Sequence, residues 1–202
     1  MPLPSPESVM EDLREVTPLI GGAIRAALDQ FEREHTSHRH YYTPRTQASV
    51  IHDLMAATAT RALDTVPDAK CLTVNGGFVI IIGQKYIIKL KKMDRRLRTR
   101  NIPTQTVMDF RCQRPMQLHL PHVPRETHLF CGYIPLDAEL RNSPLWATCP
   151  IGENIRWAWE LDEGMPAEVV PLRSAQEASS DEPLFVVRDA SPTKKTEDGN
   201  EG

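Results

Sequence analysis

Residues 71–90 read CLTVNGGFVIIIGQKYIIKL, and this stretch decides the fold. Two turn signals, Asn75-Gly76-Gly77 and Gly83-Gln84, divide it into short apolar runs rich in β-branched residues. Glycine supplies the positive φ that tight hairpin turns demand. The stretch predicts a meander of strands over 70–74, 78–82 and 85–91, apolar enough for the centre of a sheet.

Upstream, Ile51, Leu54, Met55, Thr58, Ala62 and Val66 recur at helical spacing. They predict a helix from about Thr46 to Leu63, stopped by Pro67-Asp68. Nearer the amino terminus, Ser5-Pro6 can cap and begin a helix. Val9, Leu13, Val16, Ile20, Ile24, Leu28 and Phe31 then form a single apolar stripe. Thr17-Pro18 and Gly21-Gly22 interrupt it, which predicts two helices or one kinked helix. Residues 35–45, HTSHRHYYTPR, are polar and aromatic without a period and read as a linker. The expected organisation is a helical arm over 1–36, a linker over 37–45 and an α+β core over 46–164. The arm's stripe either serves self-association or a partner, or packs back on the sheet.

Downstream, Pro103 can open a short helix reaching Gln113, and Pro115, Pro121 and Pro124 make 114–126 an extended crossing. Further strands are expected at 127–134, 145–150 and 155–161, the last with Trp157, Trp159 and Leu161 on one face. From residue 160 onward eleven acids face four cations, a net of −7. That excess predicts a disordered acidic tail over 165–202. It holds one apolar island, Leu184, Phe185, Val186 and Val187, suited to adding a strand to a basic sheet edge. The fold class is α+β: a helical arm, a long helix on a mainly antiparallel sheet of about six strands, and the tail.

With 40% apolar and 25% charged residues, the 202-residue chain has ordinary globular composition. No apolar run approaches the roughly 18–20 residues of a membrane span. The start, MPLPSPESVMEDL, has neither a basic nor an apolar signal segment. Cys71, Cys112, Cys131 and Cys149 are irregularly spaced without a CxxC pair, and read as reduced, mostly buried thiols. The expected location is the cytoplasm.

The meander runs into a basic cluster. Between Lys89 and Arg100 stand seven lysines or arginines against one acid, Asp94, in a chain whose net charge is only −3. Lys89, Lys91, Lys92, Arg95, Arg96, Arg98 and Arg100 can meet phosphates and release counterions. Thr99, Asn101 and Thr104 can add hydrogen bonds. The same residues also suit docking of the chain's own acidic tail or of an acidic protein partner, or a solvated edge strand whose lysines block stray pairing. Aromatic interleaving is thin, with Tyr86 alone.

Other chemistries fit less well. A helix, Pro67-Asp68 and a hairpin ending Lys89-Leu90-Lys91 mimic the layout of a metal-dependent nuclease. A carboxylate is needed two residues before the lysine to hold the metal, and that position is Lys89. His119, His122, His128 and Cys131 can be written as a zinc set, but without the tight cysteine-rich pairs of structural sites. His35, His38 and His40 lie in the linker. His52 stands beside Asp53, yet adjacent helical residues diverge and need not face each other. Cys112 lies between Arg111 and Arg114 and reads as a helix-buried thiol. No nucleophile or nucleotide-loop motif is present. No metal, cofactor or catalytic residue is assigned.

The segments IHDLM (51–55), IIKLKKMD (87–94), RNIPTQ (100–105), FRCQ (110–113), THLFCGYIPLD (127–137) and ENIRWAWEL (153–161) fall in order. Together they resemble a family of uncharacterised bacterial proteins of similar size, over roughly residues 45–162. Members commonly carry arginine-phenylalanine-lysine-lysine where this chain has Lys89-Leu90-Lys91-Lys92. The family is associated with small helix-turn-helix regulators and protease-like genes on mobile or defence loci. The resemblance implies a bacterial, operon-partnered protein and no catalytic residue. The expectation is therefore a non-enzymatic regulatory or defence-associated protein, of toxin–antitoxin or accessory type. It would bind nucleic acid or an operon-encoded protein through a basic hairpin edge. The competing class is a nuclease-like or degenerate nuclease domain. This reading also allows homo-oligomers through the amino-terminal helices, and no membrane contact is expected.

Overall fold

A computed structural model describes residues 3–74, 76–100, 102–115, 126–136 and 139–161. The acidic tail and its island Leu184–Val187 lie outside the described residues, as do Asn101, His119 and His122. The architecture is α+β, with four α-helices and a six-stranded sheet among the described residues. No helix among the described residues is long and apolar enough to cross a membrane.

Helix α1 (Pro6–Asp12) starts where the Ser5 hydroxyl accepts from the Ser8 amide, with Pro6 in the first turn. Helix α2 (Thr17–His35) follows a short turn. The break between them precedes Pro18, whose missing N–H suits a helix start. Gly21-Gly22 does not interrupt α2. Gly21 is buried, and a Cβ there would stand 3.4 Å from the Leu161 carbonyl oxygen. The glycine lets the helix lie against the end of the last strand, at a propensity cost of about 1 kcal/mol.

The supposed linker folds as a 3₁₀ turn, Thr36–Tyr41, and Thr43 caps helix α3 (Pro44–Leu63) by accepting from the Thr46 amide. Val9, Leu13, Ile20, Ile24, Leu28 and Phe31 are each at most 2% exposed. They share one apolar cluster with Ile51, Met55, Ile80, Ile88, Leu129, Trp157 and Trp159. The amino-terminal stripe is thus buried within the chain, packed on α3 and one face of the sheet.

Strands β1 (Ala69–Val74), β2 (Gly77–Ile82) and β3 (Tyr86–Lys92) form the antiparallel meander. Gly76 and Gly83 sit at φ +74° and +55° in its two turns. After the short helix α4 (Gln105–Arg111), β4 (Thr127–Tyr133), β5 (Leu145–Ile151) and β6 (Asn154–Glu160) form a second antiparallel meander. The two halves join through β3 and β4, which run parallel in the register Lys89↔Phe130 and Lys91↔Gly132. The strand order is β1-β2-β3-β4-β5-β6.

This order corrects one expectation. The basic strand β3 lies inside the sheet, and the edges are β1 and β6. Pairing with β4 runs from Tyr86 to Lys92, so Lys89 and Lys91 provide no sheet edge that an added strand could extend. The second face of the sheet carries a smaller apolar cluster of Val79, Ile87, Met93, Leu97, Phe110, Phe130 and Ala158. Helix α4 supplies its lid through Phe110. All seven β4 positions are buried because both faces are covered.

Candidate nucleic-acid interface

The basic cluster is built around its one acid. Asp94 Oδ1 accepts from the Arg96 amide at 2.8 Å and the Arg98 amide at 2.9 Å. The Asp94 amide donates to the Arg98 carbonyl, and the Leu97 amide to the Asp94 carbonyl. A side-chain oxygen that satisfies two turn amides is the usual device by which aspartate closes a tight loop. Leu97 takes a left-handed φ of +59° and buries its side chain in the second apolar cluster. Met93 and Thr99 bridge the two arms below. Arg95, Arg96, Arg98 and Arg100 consequently all stand exposed, and none has an acidic partner among the described residues.

The three lysines do not join them as one patch. Lys92 shares the parity of Ile88 and Leu90 and lies on the face toward α3. Lys89 shares that of Ile87 and points to the second face, where its Nζ sits 4.4 Å above the Phe110 ring. Burial and then the neighbouring Lys91 charge pull the Lys89 ammonium down to about 8. Lys91 is lowered by burial. Its charge in turn helps depress His52, whose own burial is the larger cause. Lys89 and Lys91 therefore form a partly desolvated pair against the sheet, while the exposed charge belongs to the loop. Thr104 caps α4 by accepting from the Val107 amide. Thr99 is buried, and its carbonyl accepts from the Arg111 guanidinium.

The Lys89 environment carries a pH prediction. Its folded value near 8 lies below the ordinary 10.5. Between those values the unfolded chain holds the extra proton, so stability rises with pH through that window. Below pH 8 both states are charged and the desolvation cost is fully present. Lys89→Met is expected to stabilise the protein at pH 7 by about 1 kcal/mol, after discounting for solvent screening, and to flatten the alkaline rise. Denaturation curves from pH 7 to 10.5 test this. Superimposable profiles for variant and parent would refute it.

Helix α4 is fastened on both sides of the loop. Arg111 donates to Glu153 at 2.9 Å and to the Thr99 carbonyl at 2.8 Å. Gln113, at φ +56° and 2% exposed, sends its amide between β4 and β5. Its Nε2 donates to the carbonyls of His128 and Pro150, and its Oε1 accepts from the His128 amide. The His128 ring stacks on Phe110 at 4.6 Å, and its Nδ1 meets the Phe110 carbonyl at 3.0 Å. Its Nε2 lies 3.9 Å from a carboxylate oxygen of Glu126, and both groups are buried.

His128 and Cys131 differ in parity and project to opposite faces of β4, so they do not share a site. Burial pushes the Cys131 thiol up to about 12. Among the described residues no group of three histidines, cysteines or acids could hold a metal ion. Cys112 is exposed, contrary to expectation, because α4 ends at Arg111 and Phe110 is the residue turned inward. His52 Nδ1 lies 3.6 Å from Asp53 Oδ1, so these neighbours do approach each other on the helix surface. Tyr86 is no stacking platform: it is buried, and its hydroxyl donates to Asp12 at 2.7 Å.

Sequence reading missed the aromatic residue that is available. Tyr41 is 76% exposed on the 3₁₀ turn, flanked by the rings of His38 and His40 at 6.4 and 3.9 Å. Arg39, in the same turn, lines a cavity together with Lys92. The signal was the mixed basic and aromatic composition of residues 35–45, which carries no period. No protein-family model, curated protein or solved structure matches the chain.

Proposed function

We propose that the chain is a nucleic-acid-binding protein without catalytic activity of its own, acting through the loop between β3 and α4. The observation that carries this reading is the arginine turn. Asp94 and Leu97 fix its backbone, and four guanidiniums stand exposed without an acidic partner among the described residues. A guanidinium held on an ordered loop can donate two parallel hydrogen bonds to a phosphate at little further entropic cost. The resemblance to bacterial proteins of mobile and defence loci supports a regulatory or defence-associated role in the bacterial cytoplasm. An operon-encoded protein is the competing partner, and it enters as an outcome of the test.

The triple variant Arg95→Ala, Arg96→Ala, Arg98→Ala is expected to weaken binding of labelled oligonucleotides. It should also reduce the log–log salt slope by roughly two to three units, one for each phosphate no longer engaged. Thermal stability should barely move, because exposed charges contribute little individually. Unchanged affinity and slope would remove this loop from consideration. Absence of nucleic-acid binding by the parent would transfer the surface to a protein partner.

A further inference from the structure

The 3₁₀ turn, the first turns of α3 and the ends of β3 and β4 enclose a cavity of about 230 Å³. Pockets for drug-sized ligands span about 300–1,000 Å³, so this one holds a single ring system and leaves any group attached to it at its open mouth. Ile51 and Leu136 line it with apolar surface. Arg39 and Lys92 give it two cations, and the start of α3 adds the positive end of a 20-residue helix. Arg39 also lines the adjoining cleft with Asp29, Glu32 and Glu139, of which Glu32 and Glu139 lie 2.9 and 4.0 Å from Arg141.

Tyr133 is the residue that turns the cavity into a site. Its side chain is 1% exposed and lines the space, yet its hydroxyl makes no hydrogen bond among the described residues. The hydroxyl is not among the fully buried polar atoms that lack a partner, so it opens on the cavity, where a bound acceptor can take the place of water. Burial also pushes the phenol upward, so it remains a donor at physiological pH. Beside it, the Gln47 amide nitrogen donates to the Arg39 carbonyl, which leaves the Gln47 carbonyl oxygen as an acceptor. A donor and an acceptor lining one apolar-walled space can serve the polar edge of a planar heterocycle. The two cations match an anionic group attached to it.

We propose that this cavity receives one nucleotide unit, its base against Ile51 and Leu136 and its phosphate on Arg39 and Lys92. The unit is supplied either by a single strand or as a free nucleotide. The proposal deepens the nucleic-acid reading above and rests on it. A single strand fits the surroundings, because the exposed Tyr41 ring two residues from Arg39 offers a stacking surface for the next base. A base still paired in a duplex has its polar edge occupied and does not enter.

The test titrates the full chain with single strands of about ten nucleotides, within the site sizes common for such binders, and with nucleoside monophosphates and inorganic phosphate. Tyr133→Phe removes only the donor, and Ala48→Phe fills the cavity from α3; circular dichroism verifies that both fold. Each is expected to weaken strand binding roughly tenfold, the worth of one good buried hydrogen bond, with the salt slope unchanged. Wild-type affinity in both variants overturns the proposal, and leaves the arginine turn standing if its triple variant still loses binding. Free nucleotide binding as tightly as the strand, and weakened by Tyr133→Phe, supports the pocket with the free nucleotide as its source and overturns the role of the turn. Displacement of nucleotide by inorganic phosphate at equal concentration reduces the site to an anion hole and overturns the proposal. If neither strand nor nucleotide binds, both readings fall.

Discussion

Gly132→Ala is expected to destabilise the protein by about 3–5 kcal/mol, the range of severe overpacking. A Cβ built at this position lies 1.6 Å from the Lys91 carbonyl oxygen and 2.7 Å from its carbonyl carbon. The obstacle is backbone of the neighbouring strand, so no side chain can swing aside. Relief requires β3 and β4 to part where Lys91 faces Gly132 and where the Met93 amide donates to the Tyr133 carbonyl at 2.9 Å. Alanine in a strand is ordinarily the better residue, because glycine loses more backbone freedom on folding. Here the sign reverses. With a typical domain stable by only about 5–15 kcal/mol, the variant should show a much reduced urea midpoint or fail to fold. A midpoint equal to the parent's would show that the two strands have room to part at this rung.

Gln113→Ala should cost about 3 kcal/mol, for a different reason. Pro150 sits in β5 beside a register shift and has no N–H to offer its neighbour. Regular pairing of β4 with β5 extends only to Phe130↔Thr148. Two residues further on, between His128 and Pro150, the Gln113 amide takes the place of the missing partner, donating to both carbonyls and accepting from the His128 amide. Its removal leaves two carbonyls and one amide buried without partners, each costing about 1–3 kcal/mol before relaxation. Gln113→Glu should be no better at neutral pH, because a carboxylate would face two carbonyl oxygens. Its stability should recover partly in acid, as a protonated carboxyl regains one donor. Urea denaturation of both variants at pH 5 and 7 decides the matter. A loss below about 0.5 kcal/mol for alanine would mean that water replaces the amide.

The local parts of this fold were legible. Asn75-Gly76-Gly77 and Gly83-Gln84 mark the turns because only a few residues accept such backbone angles, and the helical stripes follow from a fixed period. Non-local relations were less so. That β3 pairs in parallel with β4 depends on a crossover of basic turn, short helix and proline-rich chain that has no single period. An interior position for Lys89 and Lys91 was obscured because lysine in a strand ordinarily signals an edge. Gln113 works through partners 15 and 37 residues away, which no local pattern reveals. The loop arginines were readable from charge alone. Tyr41, Arg39 and Tyr133 were not, because they come together only when the 3₁₀ turn packs against the strand ends.

The sheet consists of two meanders meeting at a single parallel seam, and the chain from 93 to 126 leaves the first meander before entering the second. A parallel junction needs a long crossover, whereas its exact length is only weakly constrained. Doubling a flexible segment adds roughly 0.6 kcal/mol of closure entropy, less than one buried methylene contributes. Insertions and exchanges among the exposed positions of the turn can therefore be absorbed without re-registering any strand, while Leu97, Phe110 and Gln113 stay held by their packing and hydrogen bonds. The surface that bears Arg95 to Arg100 can diversify quickly during evolution while the framework that presents it stays fixed.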